Sequence, residues 1–212
     1  MQDILQQFFE NLRQTTTLEY VAVVAGIVSV VFSRKENIWV YPTGLVNTII
    51  YIYLSFKFDL IGEASVNFYY TVMSVYGWWL WSQKDQRKRP VLQVTFSDKR
   101  QWLEQLLFFL FFYVAIFWAL TYLQRYFSGA IPWADAFASA TAYTGMWLMA
   151  KKKVESWWWW IATNIASIPL YFVKGLVFTS VYFVVLLVLA VAGLAEWRKR
   201  AKAGTEKQFE FE

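Results

Sequence analysis

The chain has 212 residues, 58% of them hydrophobic, with 13 Trp, 13 Tyr and a formal net charge of +5. A soluble domain is about 45–50% apolar, and here the excess is gathered into long runs. His and Cys are absent. That excludes disulfides, thiol catalysis, histidine acid–base chemistry and the usual ligands for structural zinc and c-type haem.

Residues 1–17 include Gln2, Asp3, Gln6, Gln7 and Glu10 and lack a basic stretch leading into an apolar run, so they do not read as a cleavable signal. Seven apolar segments follow: Leu18 to Phe32, Ile38 to Phe56, Leu60 to Trp81, Trp102 to Phe127, Pro132 to Ala150, Trp157 to Val173 and Leu176 to Trp197. Their lengths suit a hydrocarbon core of roughly 30 Å, which an α-helix of about 20 residues crosses. No polar stripe of helical period runs along the third, fourth or seventh, which argues against a soluble bundle. The expected fold is an all-α membrane protein with seven transmembrane helices. Small and polar residues in several segments allow close helix packing in lipid. The fourth differs: LLFFLFFYVAIFWAL is bulky and apolar all round, as befits a connector facing lipid or a contact between copies of the chain.

Orientation follows from the basic residues, which favour cytoplasmic loops. With the N-terminus outside, the inner side holds Arg34 and Lys35, then Lys84, Arg87, Lys88, Arg89, Lys99 and Arg100, then Lys151 to Lys153. The tail adds Arg198, Lys199, Arg200, Lys202 and Lys207, making sixteen of the 20 Lys and Arg. Only Arg13, Lys57, Arg125 and Lys174 fall outside. The positive charge therefore marks cytoplasmic loops and not a nucleic-acid surface.

A shift of about 119 residues brings Gly26 onto Gly145, Arg34 onto Lys153, Glu36 onto Glu155, Trp39 onto Trp158 and Trp78 onto Trp197. Segments one to three thus resemble segments five to seven. The expected organisation is an outer segment 1–17, a three-helix unit 18–82, a basic loop 83–101, a linker helix 102–127, a second unit 132–197 and an inner tail 198–212. With one helix between them the units are parallel, an arrangement known among transporters, whose sites lie near midplane at the repeat interface.

Polar groups inside spans cost free energy unless paired or hydrated. In the second segment Thr43, Asn47 and Tyr51 fall at steps of four, on one helical face. In the sixth, Trp160, Asn164 and Ser167 share a face that Tyr171 continues. Asn offers two donors and two acceptors, which suits an uncharged hydroxyl or carboxamide, although Asn also bonds between helices. In the third segment Asn67, Tyr70, Ser74, Trp78 and Trp81 recur at steps of three or four. An aromatic wall beside polar groups suits a flat ring, and a cationic ring gains cation–π attraction. Trp81, Trp157 and Trp158 lie near span ends, where an interface belt is the plainer reading. Pro42 and Pro169 lie within the second helix of each unit, as hinges or as static packing. Glu19, Glu63 and Asp135 lie near span ends and none is central, so no carboxylate is placed for proton coupling. That favours facilitated diffusion. No phosphate-binding loop is present, and no cofactor or metal is expected.

WVYPTGLVNTIIYIYLSFKFDLIGE, NFYYTVMSVYGWWLW and WWWWIATNIASIPLYFVKGLVFT resemble the PnuC family of vitamin transporters, over roughly Tyr20 to Arg200. Tyr76-Gly77-Trp78 and Pro169-Leu170-Tyr171 are the most specific elements. The resemblance implies seven helices, as two three-helix repeats around a linker helix, similar in architecture to the SWEET sugar transporters. It implies uptake of nicotinamide riboside (vitamin B3) across the bacterial inner membrane by facilitated diffusion. A cytoplasmic kinase then traps the product for NAD synthesis. Relatives take thiamine or riboflavin; aromatic faces with Asn and Ser or Thr suit the cationic ring, carboxamide and hydroxyls of the riboside, thiamine's cationic ring stays open, and the larger neutral riboflavin would want a longer slot. The family's contacts carry over to Asn47, Trp78, Trp160, Asn164 and Ser167.

Two other classes compete. A retinal receptor needs a lysine in its last helix, and none lies between Leu176 and Trp197; a ligand-sensing receptor remains open. A membrane enzyme would lack His, Cys or a central carboxylate pair for acid–base or metal-assisted steps.

Overall fold

The computed structural model describes residue 12 and residues 16–57, 61–86, 90–124 and 130–209. Arg13, Arg87, Lys88, Arg89 and Arg125, which entered the charge argument, lie outside the described residues. Within them are seven helices: α1 (Thr17–Arg34), α2 (Val40–Lys57), α3 (Ile61–Ser82), α4 (Lys99–Leu123), α5 (Pro132–Ala150), α6 (Ser156–Val173) and α7 (Val177–Phe209). By length and composition alone, α1, α4 and α7 are apolar enough to cross a bilayer.

The helices begin and end where local chemistry dictates. Thr16 and Glu19 form a capping box that starts α1, and Asp98 and Gln101 do the same for α4. That cap starts α4 at Lys99, ahead of the Trp102 expected from hydrophobicity. The last helix runs to Phe209, well beyond Trp197. Its end is rich in Ala, Lys and Glu, which are good helix formers, and Arg200 pairs with Glu196 at 3.1 Å. Hydropathy marks where a helix leaves lipid, not where it stops. Pro42 falls in the first turn of α2, where a helix needs no N–H donor. Pro169 lies inside α6 and withdraws the donor that Ile165 would otherwise bond.

Sequential helices pack on each other within α1–α2–α3 and within α5–α6–α7. Contacts of α3 with α5 and of α7 with α1 close these six into a ring. The α4 helix packs outside, against α5, and its one buried residue is Gln105.

Matched features recur at an interval of 116, the separation of Glu36 and Lys152. Both of these residues have positive φ, 58° and 52°. Helices α2 and α6 start at Val40 and Ser156, and α3 and α7 at Ile61 and Val177. Gly77 meets the Tyr41 ring so closely that a Cβ would come within 2.4 Å of its hydroxyl; Gly193 meets Trp157 in the same way, also at 2.4 Å. Trp81 and Trp197 complete the series. The 119-residue shift rests mostly on identical letters in a tryptophan-rich chain, whereas the features 116 apart include unlike letters, as Tyr41 with Trp157.

Candidate functional site

The ring encloses a cavity of about 1140 Å³. It is floored at the basic end, where the α1–α2 and α5–α6 loops lie. Tyr41 and Trp157 form the floor, set edge-on against Trp81 at 5.2 Å and Trp197 at 5.6 Å. The Trp81 indole N–H donates to Ala150 O at 3.1 Å, and that of Trp197 donates to Ser33 O at 3.0 Å. Beneath the floor, Lys152 pairs with Glu36 at 2.6 Å, and Glu36 also takes Arg200 at 3.2 Å. Thr95 covers this end: its N–H donates to Lys152 O at 3.2 Å and its carbonyl accepts from the Val154 N–H at 3.1 Å, and Val94 is buried in the same cluster. At the other end the cavity reaches Glu19, Asp135 and Lys174, near the helix termini.

Nine of the eleven residues expected to bind substrate line this cavity: Asn47 and Tyr51 from α2, Asn67, Tyr70 and Ser74 from α3, and Trp160, Asn164, Ser167 and Tyr171 from α6. Two do not. Thr43 donates its hydroxyl to Trp39 O at 2.7 Å. A step of four over-rotates a helix by about 40°, so Gly44 and Thr48 take the place on the lining face that Thr43 was given. Trp78 is 40% exposed on the outer side of α3, below the level at which Tyr41 closes the floor.

The two asparagines differ. Asn47 donates to Ala22 O at 2.7 Å and so fastens α2 to α1. Asn164 is only 3% exposed, lines the cavity, and has no hydrogen bond to any described residue. Ser74 and Ser167, each 2% exposed, are in the same position. Facing the cavity with hydrogen-bonding capacity that no described residue takes, these three are placed to meet a ligand. The tryptophan run divides by role. Trp160 lines the wall and Trp157 the floor. Trp158 is exposed, and the Trp159 indole donates to Gln105 Oε1 at 3.1 Å on α4.

Sequence reasoning missed part of the aromatic wall. Tyr143 from α5 stacks on Tyr69 at 4.0 Å and lies near Tyr70 at 6.4 Å. Tyr182 and Phe183 come from α7, where Phe183 stacks on Tyr171 at 5.1 Å. Steps of three and four were there to be read, in Ser139, Tyr143 and Met146 and in Thr179, Tyr182 and Leu186. Neither α5 nor α7 carries an Asn to mark its polar face. No cluster of His, Cys, Asp or Glu able to hold a metal exists among the described residues.

A ring of helices around an aromatic-lined cavity with a few polar groups in its wall, floored at one end, is a transporter's geometry, and the comparisons agree. The sequence profile of the nicotinamide mononucleotide transporter family matches residues 16–199. The chain belongs to that family, the PnuC transporters. It is therefore a membrane transporter and not an enzyme. The nicotinamide riboside transporter PnuC of Escherichia coli (strain K12) is 21% identical over 87% of this chain and 86% of its own length. The riboflavin/roseoflavin transporter RibM of Streptomyces davaonensis is 21% identical over 84% of this chain and 83% of its own. The solved structure of the vitamin B3 transporter PnuC superposes with a TM-score of 0.69, at 24% identity, over 94% of this chain and 90% of that one.

Proposed function

We propose that this PnuC-family chain takes up nicotinamide riboside by facilitated diffusion across the bacterial inner membrane, and that phosphorylation inside traps the product. The observation that carries the reading is the cavity wall. Tyr70, Tyr143, Trp160 and Tyr171 offer flat faces, and Asn164, Ser74 and Ser167 offer hydrogen bonds that no described residue takes. A pyridinium ring, a carboxamide and ribose hydroxyls match these in kind. No carboxylate lies deep in the cavity, and the three charged residues of its lining, Glu19, Asp135 and Lys174, sit at the mouth.

Seven crossings with an outer N-terminus fit the same picture, with the basic loops and the closed floor on the cytoplasmic side and the cavity opening outward. Two parallel three-helix repeats fit the 116-residue interval. Residues related by a two-fold axis touch each other only on that axis. Ser33 touches Met149 and Glu36 touches Lys152, each pair 116 apart. Both contacts lie at the basic end, as an axis along the membrane normal requires.

Riboflavin is the second reading, favoured by the RibM relative and by a cavity at the upper end of the roughly 300–1,000 Å³ of common ligand sites. Purified protein in liposomes, with and without an enclosed riboside kinase and ATP, tests the proposal. Labelled nicotinamide riboside should equilibrate in empty vesicles and accumulate only with the kinase. Accumulation driven by a proton or sodium gradient alone would refute facilitated diffusion. Transport of riboflavin and not of the riboside would refute the substrate.

A further inference from the structure

The cavity lining holds three ionisable side chains outside the tyrosines: Glu19, Asp135 and Lys174. Glu19 and Asp135 are 116 positions apart, in the first turns of α1 and α5. Each serves its own helix start. Glu19 Oε2 accepts from the Thr16 backbone N–H at 2.6 Å, and Asp135 Oδ2 accepts from that of Ile131 at 2.6 Å. Each carboxylate therefore faces a similar helix-terminal partial charge of about +0.5.

The symmetry ends with the cation. Lys174, at the end of α6, holds Asp135 Oδ1 at 2.7 Å. The position 116 before it is Phe58, which carries no charge. Glu19 consequently has no counter-ion among the described residues. Among the described residues Asp135 is thus paired at the mouth and Glu19 is not.

Building on the nucleoside reading above, we propose that Glu19 is a specificity-determining residue that favours a cationic ring over a neutral one of the same shape. A charge at a cavity mouth raises the local concentration of its counter-ion and steers its entry. Its reach is limited by screening, about 8 Å at physiological ionic strength, so the preference weakens as salt rises.

Nicotinamide riboside and its dihydro form make the test. They share the ribose and carboxamide and differ in ring charge. Binding is measured by titration calorimetry of the full chain in detergent, for wild type, Glu19→Gln and Lys174→Gln. Glutamine keeps the capping box, so Glu19→Gln removes charge and leaves the helix start. The expected result is a loss of about three- to tenfold in affinity for the cationic riboside, with the dihydro form changed less than twofold. Lys174→Gln should shift the ratio the other way by freeing the Asp135 charge. An unchanged ratio of the two affinities in Glu19→Gln, with wild type binding both, overturns the role of Glu19 and leaves the transport reading standing. Wild type that binds neither compound overturns the nucleoside reading and this inference with it.

Discussion

Replacing Tyr41 by Phe tests whether the floor is a gate. The Tyr41 hydroxyl is sealed from solvent and has no partner among the described residues. A buried unpaired hydroxyl costs about 1–3 kcal/mol. That cost applies only while the floor is closed, because a parted floor lets the hydroxyl reach water. Phenylalanine keeps the ring against Gly77 and the edge contact with Trp81 at 5.2 Å, and removes the cost. The closed floor should gain about 1–2 kcal/mol, a factor of about 5–30 in population. Tm should rise, and the initial rate of riboside uptake into liposomes should fall severalfold, with binding from the cavity side retained. A lower Tm would show that the hydroxyl has a partner after all. A higher Tm with unchanged uptake would show that the floor does not open in the transport cycle.

The other predictions rest on the same contacts. Asn164→Ala should weaken riboside binding by about 1–3 kcal/mol, read by calorimetry, with little change in Tm because no internal bond is lost. Asn47→Ala should instead lower Tm, since it removes the bond that fastens α2 to α1. Gly193→Ala drives a Cβ into the Trp157 ring and should destabilise by about 1–3 kcal/mol, measured as a fall in Tm. Glu36→Gln strands the Lys152 ammonium, whose side chain is 4% exposed, and should cost about 3–5 kcal/mol. Arg200→Gln removes a pair whose Arg is 36% exposed and should cost under about 1 kcal/mol.

Hydrophobic runs of span length carry most of the fold, so helix number and order could be read from the sequence with ends off by a few residues. The misses have local causes. The start of α4 is set by an Asp98 cap, and the end of α7 by helix propensity beyond the apolar stretch. Letter matching gives an interval of 119, whereas matched structural features fall 116 apart, some sharing a letter, as Gly77 with Gly193, and some not, as Tyr41 with Trp157. The polar faces of α2, α3 and α6 predicted most of the lining. Tyr143 and Tyr182 escaped because α5 and α7 carry no central Asn. Whether an Asn is committed to its neighbours or free cannot be read from spacing, since it depends on whether a carbonyl such as Ala22 O lies within reach.

The placement of bonds says which end opens more readily. Among the contacts that tie the two halves at the basic end are three that recur around it: Trp81 to Ala150, Trp197 to Ser33 and Glu36 to Lys152. Each joins one half to the other around the proposed axis, so a relative tilt of the halves strains all three together and opening there is cooperative. Higher up, the Tyr69 hydroxyl donates to Tyr143 O at 3.1 Å and links α3 to α5 beside the cavity. At the mouth the ion pair of Asp135 with Lys174 lies within a single half and does not resist their separation. A ligand stacked beside Tyr143 and bonded to Asn164 would touch both sides of the central link. Closing the mouth over it would move the Tyr20 and Phe178 rings, which meet there between α1 and α7 at 6.3 Å, and would load the floor, where Tyr41 and Trp157 hold unpaired polar atoms. Cavity filling and floor opening are thereby coupled through the bonds that cross between halves.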